Sequence, residues 1–425
     1  MSIILLFVML FVFLIIGVPV AVSLALSSLI FVLFNGMPDL LVLHNMVNGI
    51  NSFPLIAVPF FILAGHIMNS AGITKKIFDF ARAAVGWLHG GLGHVNIGAS
   101  VIFAGMSGAA VADAGGLGNI EIKAMKDAGY DPDFSVGITA ASSTIGPIIP
   151  PSLPLIVYGV IGDASIGQLF AAGIVPGIMM AVALMIMVAW YSRRRAYPKD
   201  NTFEVSRFSK TFLQALLPLL TPGIIVGGIL TGIFTPTEAA IAAVVYAMFL
   251  GFFVYKTLNW KSMLRVSMDT LETTSTIMMI IAASSVFAWI LTSNQVAKEF
   301  SGVLLGITDN PFMLLLMINL IILLIGCFME TLAAITILVP VLLPIAVTLG
   351  VDPVHFGIIL ILNLMLGVLT PPVGVVLYVL SRVSSVPFER CVTATAPFMV
   401  PLIIVLLLVT FVPAFTMWLP EVLYK

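Results

Sequence analysis

The sequence predicts an all-α polytopic membrane protein, built as an inverted-topology repeat with two re-entrant helical hairpins and two unwound transmembrane helices. Three observations carry this. The chain is 60% hydrophobic and 9% charged, against about 25% charged residues in an ordinary soluble domain. Apolar runs long enough to span a bilayer recur along it. Two stretches, IGPIIPPSLP (145–154) and LGVLTPPVGV (366–375), interrupt such runs in the same way, with a glycine and a Pro-Pro pair. Proline inside a helix removes a backbone donor and clashes with the preceding turn, at about 3 kcal/mol. Two such breaks in matching places point to spans unwound for a purpose.

From the N-terminus, spans are expected near 2–16, 18–35 and 53–70. The first reads as a span and not as a cleavable leader, since no basic residues precede it and it runs on past Gly17 and Pro19. GASVIFAGMSGAAVADAGGLGNIEIKAMK is too long for one helix break and too short for two full spans. It predicts a re-entrant hairpin over 98–125, with its tip near Met106, Ser107, Gly108 and Ala109. A broken span over 134–160 and a span near 166–190 complete a first repeat, 1–192. A basic linker occupies 193–210. The second repeat, 211–425, has spans near 211–231, 236–256 and 266–292, a hairpin over 312–349 with its tip near Cys327 to Thr331, a broken span over 354–382 and a span near 395–419. Thr235 with Glu238 reads as a capping box, with Pro236 at the first helical position. Asp131-Pro132 and Asp352-Pro353 read as helix starts.

The repeat rests on register. Pro150-Pro151 and Pro371-Pro372 are 221 residues apart, and the same offset carries Gly146 onto Gly367, Asp131-Pro132 onto Asp352-Pro353, Gly105 onto Gly326 and Pro176 onto Pro397. Basic residues give orientation. Arg193, Arg194, Arg195 and Lys199 place the linker in the cytoplasm, and Lys75, Lys76, Arg82, Lys123 and Lys126 place both ends of the first hairpin there. Counting spans from these anchors puts both termini outside, Asp131 inside and Asp352 outside. Opposite topology of the two halves is the pattern of a secondary transporter, with its site near the midplane where the repeats meet.

Exposed backbone at membrane depth is tolerated only when buried in protein or lining a cavity. The hairpin tips and broken spans would offer carbonyls to a hard cation such as Na+ and half-helix N-termini to an anionic substrate group. Ser107, Ser142, Ser143 and Thr144 supply hydroxyls in the first half. Thr331, Asn363 and Thr370 supply polar side chains in the second. Ser107, Ser142, Thr144 and Asn363 are the candidate substrate contacts. Asp113 and Glu330 lie beside the tips, and an acid at such depth is a functional candidate, although each could also cap hairpin backbone. No Lys or Arg falls mid-membrane in either broken span. A substrate carboxylate would therefore need helix N-termini and co-bound cations, which favours cation-coupled uptake over a simple pore. Net charge of -1 argues against nucleic acid. Cys327 and Cys391 make no disulfide framework, and His44, His66, His89, His94 and His355 lack metal-ligand spacing.

The motifs GMSGAAVADAGGLG, STIGPIIPPS, GIFTPTEAA, DPVHFG and NLMLGVLTPPVGVVLYV together resemble the large membrane subunit, DctM type, of the TRAP transporters, over essentially the whole chain. The resemblance implies a Na+-coupled importer of organic acids in the bacterial inner membrane and not an enzyme. It implies two partners: a small four-helix membrane subunit, expected as a separate chain, and a periplasmic substrate-binding protein. It also implies an elevator-type mechanism and at least two Na+ sites, one around Gly105 and Ser107 with Ser143 and Gly146, the other around Gly326, Met329 and Thr331 with Gly367 and Thr370. Family substrates include sialic acid, toward which the expectation leans, and C4-dicarboxylates. The competing readings are a stand-alone Na+/carboxylate symporter that needs no binding protein, and an intramembrane enzyme using Asp113 and Glu330.

Overall fold

The computed structural model describes residues 3–195, 197–199, 202–308 and 310–424, with the side chains of Met106 and Ser107 outside that description. The chain runs α1 (Ile3–Ile15), α2 (Val20–Phe34), α3 (Leu40–Ile50), α4 (Ala57–Ser70) and α5 (Ile73–Val85). Next come α6 (Gly91–Ser107), α7 (Ala110–Gly115), α8 (Leu117–Asp127), α9 (Pro132–Ser143), α10 (Leu153–Ile161) and α11 (Ile166–Arg195). The second half has α12 (Val205–Leu230), α13 (Pro236–Phe249), α14 (Trp260–Ser293), α15 (Val296–Leu305), α16 (Pro311–Gly326) and α17 (Thr331–Thr348). It ends with α18 (Pro353–Gly367), α19 (Val375–Ser384), α20 (Phe388–Phe411) and α21 (Ala414–Leu423). Among the described residues, seven helices are long and apolar enough to cross a membrane: those beginning at Phe53, Ile166, Val205, Pro236, Trp260, Thr331 and Phe388.

The broken spans divide as their prolines require. The apolar run over 134–160 becomes α9 and α10, and that over 354–382 becomes α18 and α19, each pair parted by a loop with a cis Pro-Pro peptide. α9 and α18 are each buried along nearly their whole length, so each is wrapped by other helices. Thr235 and Glu238 form the capping box that starts α13.

Several boundaries differ from expectation. The expected spans 2–16 and 18–35 are helices of 13 and 15 residues. At about 1.5 Å per residue neither crosses about 30 Å of hydrocarbon alone. Pro19 stands at the N-cap of α2, a position where its missing N–H costs no helix bond. The helices in the region expected as the first hairpin begin at Gly91, not 98, and the stretch after the turn is split at Gly116 into α7 and α8. The last span begins at Phe388 and ends at Phe411, just before Pro413, and α21 follows.

Packing sorts the helices around the breaks. α9 lies against α20 and α6, and α18 against α16, α17 and α11. α14, at 34 residues the longest helix, runs against α2, α3 and α4 on one side and α17 on the other. It thus touches both the N-terminal helices and the second helix pair.

Candidate functional site

In the first half the α6–α7 turn closes onto the α9–α10 break. Gly108 has φ +58°, and a Cβ there would sit 2.9 Å from the Pro151 carbonyl oxygen, so glycine is required both for the turn and for the approach. Across the break, the Ser152 hydroxyl donates to the Pro147 carbonyl and accepts from Leu155 N–H, capping α10. Asp113 on α7 is buried. Its carboxylate lies against the Gly146 backbone, where a Cβ would come within 2.5 Å of Asp113 Oδ2.

In the second half the corresponding approach is between two backbones. A Cβ on Gly367 would lie 2.6 Å from the Gly326 carbonyl carbon. Val373 N–H donates to the Cys327 carbonyl across the same junction. Glu330 caps α17, accepting from Leu332 N–H at 2.8 Å and Ala333 N–H at 3.2 Å. The two acids beside the turns therefore differ. Glu330 is a helix cap, whereas Asp113 faces the other helix break.

A cavity of about 490 Å³ lies where both junctions meet, inside the range of small-molecule sites. Ala109, Ala110 and Val111 line it from the first turn, and Pro147, Leu153 and Pro154 from the first break. Glu330, Thr331 and Leu332 come from the second turn, and Met365, Val368 and Val375 from the second broken helix. α14 supplies the remaining wall with Glu272, Thr273, Thr276, Ile277 and Ile280. The N-terminal turns of α7, α10, α17 and α19 thus all reach one space, and helix N-termini carry partial positive charge. Among the described residues, no Lys or Arg lines it.

The sequence-derived residues fall in three places. Thr331 lines the cavity. Gly105 lies beside it in a narrow gap shared with Gly108, Pro151, Leu153, Thr221 and residues of α4. The others sit in the packing behind. Ser143 and Thr144 are buried and donate to the carbonyls of Ala140 and Ala141, Met329 is buried, and Thr370 donates to the Leu366 carbonyl. The candidate substrate contacts Ser142, Thr144 and Asn363 do not line the cavity. Ser142 donates to Asn96 Oδ1 at 2.6 Å, and Asn363 donates to both the carbonyl and Oδ1 of Asn319. Both residues fasten a broken helix to the hairpin arm beside it. The side chain of Ser107 lies outside the described residues.

Oxygen-bearing groups lie close together around the junctions: the Asp113 carboxylate and the Gly146 backbone in the first half, the close-set Gly326 and Gly367 backbones in the second. Asn363 Oδ1, one helical turn before Gly367, is buried and meets no donor among the described residues. Such an oxygen set fits Na+. No cluster of three or more His, Cys, Asp or Glu forms among the described residues.

Glu272, Thr273 and Thr276, which line the cavity, were not among the sequence-derived residues. The signal was legible. MDTLETTST (268–276) puts a run of polar residues, with Asp269, Glu272, Thr273 and Thr276 at helical spacing, directly ahead of the apolar stretch that begins at Ile277 in the same helix, and an acid within an expected span is a functional candidate.

Paired helix breaks around one cavity, in a chain with seven candidate spans among its described residues, define a membrane transporter. Residues 7–415 match the family described as "Tripartite ATP-independent periplasmic transporter, DctM component", and the chain belongs to that family. It is a multi-pass membrane protein, a large permease subunit of a bacterial TRAP transporter. It is 50% identical over 381 residues, 89% of this chain and 88% of the relative, to the "Sialic acid TRAP transporter large permease protein SiaM" of Vibrio cholerae. It is 41% identical over 380 residues to the "Sialic acid TRAP transporter permease protein SiaT" of Haemophilus influenzae, covering 89% of this chain and 62% of that longer protein. Among solved structures, the YdaH transporter of Alcanivorax borkumensis has a similar fold, with TM-score 0.60, 15% identity and 88% of each chain covered.

Proposed function

We propose that this chain is the membrane-embedded transport subunit of a Na+-coupled importer of sialic acid, N-acetylneuraminate, in the bacterial inner membrane. It works with a small four-helix membrane subunit and a periplasmic substrate-binding protein. The observation that carries the reading is the cavity on which both helix breaks and both turns converge. The naming of its 50% identical relative supports the substrate. The carboxylate of the substrate faces helix N-terminal turns. Na+ is held by the oxygens around Asp113 and Gly146 in one half and by those around Gly326, Gly367 and Asn363 in the other, offsetting charge that no Lys or Arg balances. Each half is one arm of an inverted repeat, and α6–α8 and α16–α17 re-enter from opposite faces. These pairs with α9–α10 and α18–α19 move as one body against the other helices, because sliding an intact oxygen cage is cheaper than reshaping it around a dehydrated ion.

The test is uptake into proteoliposomes holding the permease and its membrane partner, with binding protein outside and a panel of acids that includes N-acetylneuraminate and succinate. Uptake of N-acetylneuraminate that requires both the binding protein and an inward Na+ gradient is expected. Undiminished uptake without the binding protein would favour the stand-alone symporter, and succinate uptake alone would move the substrate to C4-dicarboxylates.

A further inference from the structure

We propose that Glu272, with Thr273 and Thr276 beside it on α14, is the specificity-determining wall of the cavity. It reads the hydroxyl-bearing end of the substrate and makes the site selective for polyhydroxylated monoacids over bare dicarboxylates. The proposal rests on the cavity being the substrate site. The two kinds of wall differ in chemistry. The breaks contribute the helix N-termini at Leu153 and Val375, which suit an anionic group, while the Glu330 carboxylate on the same side is already held by the N–H groups that open α17. α14 contributes a carboxylate and two hydroxyls, spaced at i, i+1 and i+4 so that they share a helix face.

An ionised carboxylate is an acceptor only. Glu272 repels a substrate carboxylate and accepts from O–H or amide N–H groups. Among the described residues its carboxylate has no ion-pair or hydrogen-bond partner, whereas Glu330 across the cavity is engaged as the cap of α17. A cap or a packing ion pair therefore does not account for Glu272. A sugar acid has one anionic end for the N-termini and hydroxyls for α14. A short diacid of the same reach presents a second carboxylate to Glu272, and such like-charge juxtaposition discriminates by repulsion. α14 also lies outside the turns and breaks that would carry the cations, so selectivity and cation binding sit on different elements.

The experiment measures binding to the full-length chain with its membrane partner in nanodiscs. Omitting the binding protein leaves the permease as the only source of selectivity. The probes are N-acetylneuraminate, its analogue truncated in the glycerol side chain, and succinate. The wild type is expected to prefer the full sugar acid. Glu272→Ala is expected to weaken it about ten-fold or more, as for loss of a hydrogen bond to a charged group, while changing the truncated analogue little. Glu272→Gln, which keeps an acceptor oxygen, is expected to lose less and to bind succinate more tightly than the wild type does. Thr276→Val gives a second, milder loss of the same preference. Unchanged thermal unfolding of each variant establishes that the fold is intact. Equal weakening of both sugar acids by Glu272→Ala, or no weakening of either, overturns the proposal and leaves the substrate assignment standing. Binding of succinate but neither sugar acid by the wild type overturns both.

Discussion

Gly326 and Gly367 hold the second junction by having no side chains. Gly367→Ala places a Cβ 2.6 Å from the Gly326 backbone, and no rotamer relieves a backbone clash. Overpacking of this kind costs about 1–3 kcal/mol, so the variant should unfold at lower temperature in detergent and lose uptake. Asn363 tests a different force. Its amide spans to Asn319 with two bonds of 2.8 Å, and Asn363→Ala leaves a buried acceptor unpaired at about 1–3 kcal/mol. Ser142, which donates to Asn96, stands at the same register in the first half. These residues were picked from the sequence because they are polar and near a break. That criterion finds the neighbourhood but not the direction of a side chain. In a buried helix a hydroxyl is as easily satisfied by the carbonyl three or four residues back, and Ser143, Thr144 and Thr370 are held in that way.

At the scale of elements, the starts of α9 and α18 look alike in sequence and are held differently. Asp352 caps its own helix, accepting from Val354 N–H at 2.7 Å. Asp131 instead turns to Arg195 at 2.8 Å and to the Tyr197 hydroxyl at 2.5 Å, which ties the start of α9 to the end of α11. Asp133 adds Arg390 of α20 at 2.7 Å. The Tyr197 hydrogen bond, more than the Arg195 charge, holds the Asp131 carboxyl below its ordinary value. A depressed folded pKa stabilises the fold above the unfolded value, near about 3.9, and that stability is lost as pH falls through the folded value. The side chains are half exposed, so the effect is at most about 1 kcal/mol. Asp131→Asn should lower thermal stability slightly at pH 7 and make no difference once pH is well below 3, and a pH series of thermal unfolding checks it. The Gly/Pro breaks and the Thr235–Glu238 capping box were legible because both depend on residue type at fixed spacing. The split at Gly116 and the ends of α20 were not. Hydropathy reports that a run is apolar, but the point where backbone hydrogen bonding stops depends on what packs there. Glu272 lies on an unbroken helix, α14, where residue type and spacing alone do not show which face meets the breaks.

The whole molecule joins two unwound helices and two turns to a continuous wall, α14, which packs against the N-terminal helices as well as against α17. On the proposed sliding mechanism the body carries its cavity past this wall from one side of the membrane to the other, so transport should stop if the two are tied. Ala64 on α4 and Leu153 on α10 border the same narrow gap, and a cross-link between cysteines placed there should arrest uptake. Loss of uptake through unfolding is excluded if reduction of the link restores it. The central claim is that the cavity itself is the transport site. Its most direct test is protection of single cysteines, in a background with Cys327 and Cys391 replaced, at Val111 on the first turn and Thr276 on α14. N-acetylneuraminate in Na+ should slow labelling at both positions by a small thiol reagent, and an acid that is not transported should slow neither. Full labelling of both in the presence of saturating substrate, with uptake intact, would contradict the account.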